Sequence, residues 1–308
     1  MEFPVFSLSL RRVAKIISVP IVLVLALPAL HGCSTNTAAK VAYNQSPDLA
    51  YWWLDDYADF NGVQSLQVKA ALARLQDWHR QTQLPLYAQS LQGLQRLVPA
   101  DISADQACRT AADARAHVAT VLAQAEPIAA SLAAMLQPAQ LDTMARKFAK
   151  GNAEWRGDFV EVSAQKLQAR RFKQARERAE WLYGSLNEAQ SASLKRGVAQ
   201  SVFDPALAYT ERLRRQQDTL QTLRAITAAT APTADASRGA QASVHALLGR
   251  TLSSPDAAYR RYQEALTSEG CALFSGLHQS ASTAQRLHAA QTLKRYEDLL
   301  LSLAAPAG

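Results

Sequence analysis

The chain has 308 residues, with 33 Lys and Arg against 26 Asp and Glu, for a formal net charge of +7. So modest a basic excess suits acidic partners such as lipid phosphates and is too slight to mark a nucleic-acid-binding protein. The length is enough for one large helical domain or two small ones.

The chain opens with Arg11, Arg12 and Lys15, followed by an apolar run from Ile16 to Leu30 that Pro20 and Pro28 interrupt. About 15 residues are too few to cross roughly 30 Å of hydrocarbon comfortably, so residues 1–32 read as a signal peptide. Leu30-His31-Gly32-Cys33 resembles a lipobox, the recognition site of bacterial lipoprotein signal peptidase, with His31 in place of the small residue usual there. Cys33 is then the expected lipidation site and the first residue of the mature chain. Each buried acyl methylene contributes about 0.8 kcal/mol to membrane attachment. Ser34 follows, and the lack of an Asp there favours the outer membrane in the sorting logic this resembles. The expected location is the periplasmic face of that membrane. Loss of Arg11, Arg12, Lys15 and Glu2 with the signal leaves a net charge of +5. Residues 33–45 are expected to be a polar tether.

From there the composition is all-α: Gly and Pro are sparse, and Ala, Leu, Gln and Arg dominate. Five tetrads share a polar residue followed three positions later by Gln. They are Asn61–Gln64, Ser103–Gln106, Gln137–Gln140, Asn187–Gln190 and Ser282–Gln285. This is capping-box spacing, and it predicts helix starts near 62, 104, 138, 188 and 283. Pro138 falls at the first helical position, where a missing N–H costs nothing.

The predicted helices are 46–60, 62–98 bent at Pro85, 104–136 bent near Pro127, and 138–184 broken around 157–163. They continue as 188–201, 205–229, 240–251, 255–278 and 283–303. The small polar segment 230–239 reads as a mobile linker. The expected fold is all-α, an antiparallel multi-helix array or bundle with long, bent helices, in one periplasmic domain over 46–305. Cys108 and Cys271 form an even pair in an oxidising compartment and are predicted to be disulfide-bonded.

Candidate chemistry centres on two helices. On 46–60, a helical wheel places Trp53, Leu54, Tyr57 and Phe60 on a core face. Tyr51, Trp52, Asp55 and Asp59 then point outward. Asp55 and Asp59, at i and i+4, repel each other unless a cation sits near. On the helix through 166–182, Lys166, Arg170, Arg171, Lys173, Arg176 and Arg178 surround an apolar stripe. They form either a solvated face with local ion pairs or a patch for anionic lipid or an acidic envelope protein. They could also pair with Asp55 and Asp59. The candidate interaction surface is therefore Trp52, Asp55, Asp59, Arg170, Arg171, Lys173, Arg176 and Arg178. The histidines show no metal-ligand spacing, and neither a phosphate loop nor a Ser-hydrolase elbow is present. No cofactor or metal is expected.

Two resemblances bear on function. Leu186-Asn-Glu-Ala-Gln190 resembles the Leu-Thr-x-x-Gln signature of Spy-type periplasmic chaperones, although capping alone accounts for it. The segment 49–91, with 105–108, 150–159, 170–182 and 271–286, resembles an uncharacterised family of Gram-negative helical lipoproteins, one of the groups named as domains of unknown function. That resemblance supports the lipoprotein and disulfide readings and brings no activity or site residue. The expected function is non-catalytic binding or scaffolding at the envelope. The alternatives are a Spy-like holdase and, behind it, a cell-wall-polymer enzyme using Asp55, Asp59 or Glu154 as acid.

Overall fold

The computed structural model describes residues 35–229 and 233–305. The signal peptide, Cys33 and residues 230–232 of the expected linker lie outside the described residues. Every regular element described is helical: α1 (Thr35–Asn44), α2 (Ser46–Ala58), α3 (Gly62–Trp78), α4 (Leu84–Leu97), α5 (Ala104–Ala133), α6 (Pro138–Trp155), α7 (Ala164–Tyr183), α8 (Glu188–Ala199), α9 (Pro205–Thr227), α10 (Ala234–Leu252), α11 (Ala257–Gln279) and α12 (Thr283–Ala304). The fold is an all-α helical array.

The expected bend at Pro85 and the expected break around 157–163 coincide with π-helical turns, His79–Gln83 and Arg156–Val160, whereas α5 runs through Pro127 as one helix. The first has a plain cause. Pro85 has no N–H to offer, and the ladder widens just ahead of it, with the Leu84 N–H reaching back to the His79 carbonyl. Ser163 then starts α7, its side chain accepting from the Lys166 N–H.

Two expectations are corrected. Residues from Thr35 onward are not a tether, because they form α1, which buries Ala39 against Leu84, Leu299 and Leu303. The second half of the expected linker is also helical. Thr233 caps α10 by accepting from the Ala236 N–H, and Ala240, Val244 and Leu247 bury one stripe.

The core falls into linked clusters. The largest joins Val98 and Ile102 to Ala179, Tyr183, Leu194, Leu277, Ala289 and Leu293. Others gather around Ala130, Ala133, Ile226, Ala240 and Val244, and around Ala58, Leu136 and Leu141. Helix α5 carries Ala107 at one end and Ala130 at the other, so it spans two clusters. Cys108 and Cys271 are disulfide-bonded, with Cα atoms 5.4 Å apart, and the bond fixes α11 to the start of α5.

Complete capping boxes occur at Asn61, Ser103, Asn187 and Ser282. At Gln137 only half forms, with the Gln140 carboxamide accepting from the Gln137 N–H. The capping glutamines do more than cap. Gln64 and Gln140 exchange amide hydrogen bonds of 3.1 and 2.8 Å, and each also donates to a backbone carbonyl at a helix end. Gln190 and Gln285 repeat the arrangement at the starts of α8 and α12. Each pair ties two helix N-termini together inside the fold. Gln140→Ala is expected to cost about 2–3 kcal/mol, because it removes both hydrogen bonds to Gln64 and the one to the Ala58 carbonyl in a buried site. Urea unfolding of the two proteins measures this.

Candidate functional site

Helix α2 lies between α3 and α6, and so has two packed sides. Tyr51 is buried toward α3. Its hydroxyl donates to Ser65 at 2.9 Å, Phe60 stacks on its ring, and the Lys69 ammonium lies 4.4 Å from its centre. Tyr57 faces α6 and meets Phe148 with ring centres 5.6 Å apart. The expected wheel is corrected on both counts: Tyr51 is inside, and Trp53 is exposed beside Tyr57. Trp52 points outward as expected, 63% exposed.

The two aspartates serve the end of this helix. The Asp55 carboxylate accepts from the Phe60 N–H at 2.9 Å. Asp59 adopts the left-handed conformation at φ 49°, which ends α2, and a short polar side chain tolerates that backbone. Asp56 forms the ion pair on this helix, with Lys147 of α6.

The basic helix lies elsewhere. Helix α7 packs on α8 and α12, and its cations do not reach Asp55 or Asp59. Arg170 donates to the Asp158 carbonyl at 2.6 Å and lies over Phe159. Arg171 donates to Ser201 at 2.7 Å and covers Phe203, and burial pushes its pKa down. Arg176 pairs with Glu180 at 2.7 Å, and Lys173 reaches Glu177 at 3.9 Å. Arg178 is exposed. Four of the five candidate cations of this helix are thus engaged within the protein.

Residues that the sequence reading passed over complete the picture. Phe148, Asn152, Trp155 and Phe159 form a stripe along α6 and the π-turn after it. Tyr209 of α9 stacks on Trp155 at 5.5 Å, and Phe159 stacks on Trp155 at 4.8 Å. Arg212 donates to Asn152 at 2.8 Å. Spacings of four, three and four residues could have revealed this stripe. Its rings cover one another, so it staples α6 to α9 and offers little open ring face. The open apolar surface is elsewhere. Of the twelve large apolar side chains exposed among the described residues, Val41, Trp52, Trp53, Val63 and Leu66 fall within α1 to α3. That concentration makes the N-terminal helices the best candidate surface.

Two histidines are internal. His278 is fully buried; its Nδ1 meets the Tyr183 hydroxyl at 2.8 Å and its Nε2 the Ala100 carbonyl at 2.8 Å. The carbonyl requires a donor at Nε2, so neutral His278 accepts at Nδ1 from Tyr183. His79 Nδ1 is hydrogen-bonded to the Tyr43 hydroxyl at 3.0 Å. Burial pushes His79 down to about 4 and His278 down as well. A histidine with a lowered folded pKa stabilises fully above its unfolded value near 6.5 and loses that stability as pH falls toward its folded value. Below pH 6.5 each should cost about 1.4 kcal/mol per pH unit until its folded pKa is reached. His79→Gln should flatten the pH dependence of the urea midpoint between pH 6.5 and 4.

A model of a family of unknown function, DUF6279, matches residues 56–232, more than half of the chain. The chain belongs to this family. No curated protein and no solved structure matches it. The DUF6279 match begins at Asp56, in the last turn of α2, and ends before α10. It includes the Tyr57–Phe148 contact, the α6–α9 staple and Cys108. Cys271 lies beyond it, so the resemblance expected over nearly the whole mature chain narrows to this span.

Proposed function

We propose that the protein is an outer-membrane lipoprotein facing the periplasm, anchored through lipid on Cys33, and that it works by binding or scaffolding rather than by catalysis. The observation that carries the reading is the crowding of exposed apolar side chains onto the helices that begin two residues after Cys33. The disulfide adds support, because it joins the two remaining cysteines and such bonds persist in oxidising compartments. The internal use of Asp55 and the turn role of Asp59 favour binding over an acid–base pair at α2. Capping and helix pairing by Gln190 account for the tetrad that resembles the chaperone signature, so the holdase reading has no separate observation behind it.

Globomycin-type inhibition of lipoprotein processing is expected to leave a larger precursor, and Cys33→Ala is expected to carry no lipid by intact mass. An unchanged size under the inhibitor would defeat the lipoprotein reading.

A further inference from the structure

Three observations about α1 and α2 combine. First, α1 is held firmly to the body. Ala39 is buried, the Tyr43 hydroxyl is hydrogen-bonded to His79, and the Tyr43 carbonyl accepts from Gln76. Arg80 lies over the Tyr43 ring and donates to Asn44 and to the Leu303 carbonyl near the end of α12. Second, only Ser34 separates Cys33 from α1. Two residues reach about 7 Å at most, so a lipid on Cys33 holds the start of α1 at the bilayer surface with no spacer. Third, Val41, Trp52, Val63 and Leu66 are exposed on α1, α2 and the start of α3. No helix among the described residues is long and apolar enough to cross a membrane, so these side chains suit contact with an interface rather than a span.

Charge narrows the kind of surface. Between Thr35 and Asp59 there is one lysine, Lys40, against four aspartates. Asp48 and Asp56 lie one helical turn either side of Trp52. Asp56 is paired with Lys147, while Asp48 and Asp59 hold no ion pair among the described residues. Exposed carboxylates around an interfacial tryptophan are repelled by anionic headgroups and attracted by ammonium groups. The exposed cations of α7 do not share this face, since that helix packs on α8 and α12.

We propose that α1 and α2 lie flat on the membrane, with Trp52 at the interface and the unpaired carboxylates of Asp48 and Asp59 among the ammonium groups of zwitterionic, ethanolamine-type lipid. This rests on the lipoprotein reading above and names what that surface meets. The body is then mounted in one orientation rather than swinging on a tether.

The test uses the full chain, expressed with its signal peptide and purified from membranes in detergent. Intact mass reports the lipid on Cys33. The protein is then reconstituted into vesicles of phosphatidylethanolamine and phosphatidylcholine with brominated acyl chains, and tryptophan quenching is measured. Trp78, Trp155 and Trp181 lie outside α1 and α2 and supply the reference signal that remains in the double variant. The expected result is quenching of which Trp52→Phe/Trp53→Phe removes at least half, with an unchanged melting temperature. Replacing half of the zwitterionic lipid by phosphatidylglycerol should reduce the quenching at least twofold. Lipid on Cys33 together with quenching untouched by the double variant would overturn the orientation and leave the lipoprotein reading standing. Equal quenching on phosphatidylglycerol would overturn the headgroup assignment. No lipid on Cys33 would overturn the lipoprotein reading. In that case quenching that the double variant removes would still support the surface, and none would overturn it too.

Discussion

Replacing both Cys108 and Cys271 by serine is expected to lower the unfolding free energy by about 5 kcal/mol. The bond closes a loop of 163 residues, and the chain-entropy treatment of a loop that long gives about that figure. The structure explains why so long a loop can be held without distortion. Cys271 is buried on α11, where Ser275 donates to the Ile102 carbonyl at 2.7 Å and His278 reaches Ala100. These contacts already set α11 against the start of α5, so the sulfurs lock a junction that packing has formed. The value is an upper one, because a compact denatured state has less entropy to lose. For a chain of this size the melting temperature should fall by about 10 °C or more. Calorimetry of the double variant, against the wild type with and without reductant, measures this. If the reduced wild type melts with the oxidised one, the bond contributes nothing to stability and the chain-entropy figure is wrong for this loop.

The sequence made local features readable and left their partners hidden. The five Gln tetrads mark helix starts because a cap depends on residues three positions apart. That Gln64 would meet Gln140, and Gln190 meet Gln285, depends on contacts 76 and 95 residues away, which spacing cannot reveal. The α2 wheel failed for a related reason. A single moment direction assumes one packed side, whereas α2 packs Tyr51 toward α3 and Tyr57 toward α6, which leaves Trp53 outside. Helix α1 was hidden by its polar composition, since only Ala39 and Tyr43, four residues apart, give it a packing edge. The cations of α7 were legible as a group, but their engagement with Asp158, Ser201, Glu177 and Glu180 was only partly local.

Glu211→Ala is expected to destabilise the protein by about 3 kcal/mol, more than any other single ion-pair change in α7 or α9. Glu211 is 5% exposed and accepts from Arg214 at 2.7 and 2.8 Å, from Arg215 at 2.8 Å and from the Ser254 hydroxyl at 3.1 Å. Arg214 also approaches Asp218, which receives a bidentate pair from Arg250 of α10. Arg215 lies over Tyr259 of α11. One carboxylate therefore joins α9 to the α10–α11 junction. Removing it leaves Arg215 without its counter-charge and Arg214 with only Asp218 at 3.5 Å, and breaking such pairs costs several kcal/mol. The arginines keep part of their water contact, which places the cost at the low end. Glu177→Ala in the exposed Lys173–Glu177 pair should cost under about 0.5 kcal/mol. The network also sets an acid limit. Burial pushes Glu211 up, but hydrogen bonds and charge from Arg214 and Arg215 outweigh it and leave the carboxyl below its usual value. Asp218 is lowered chiefly by its hydrogen bonds with Arg250. Groups lowered on folding stabilise fully above their unfolded pKa, about 4 for these carboxyls, and lose that contribution as pH falls through the folded value. Glu211→Gln should therefore unfold at lower urea than the wild type at pH 7, and the gap should shrink below pH 4. A gap that stays constant with pH would mean that packing at Ser254, rather than charge, is what Glu211 supplies.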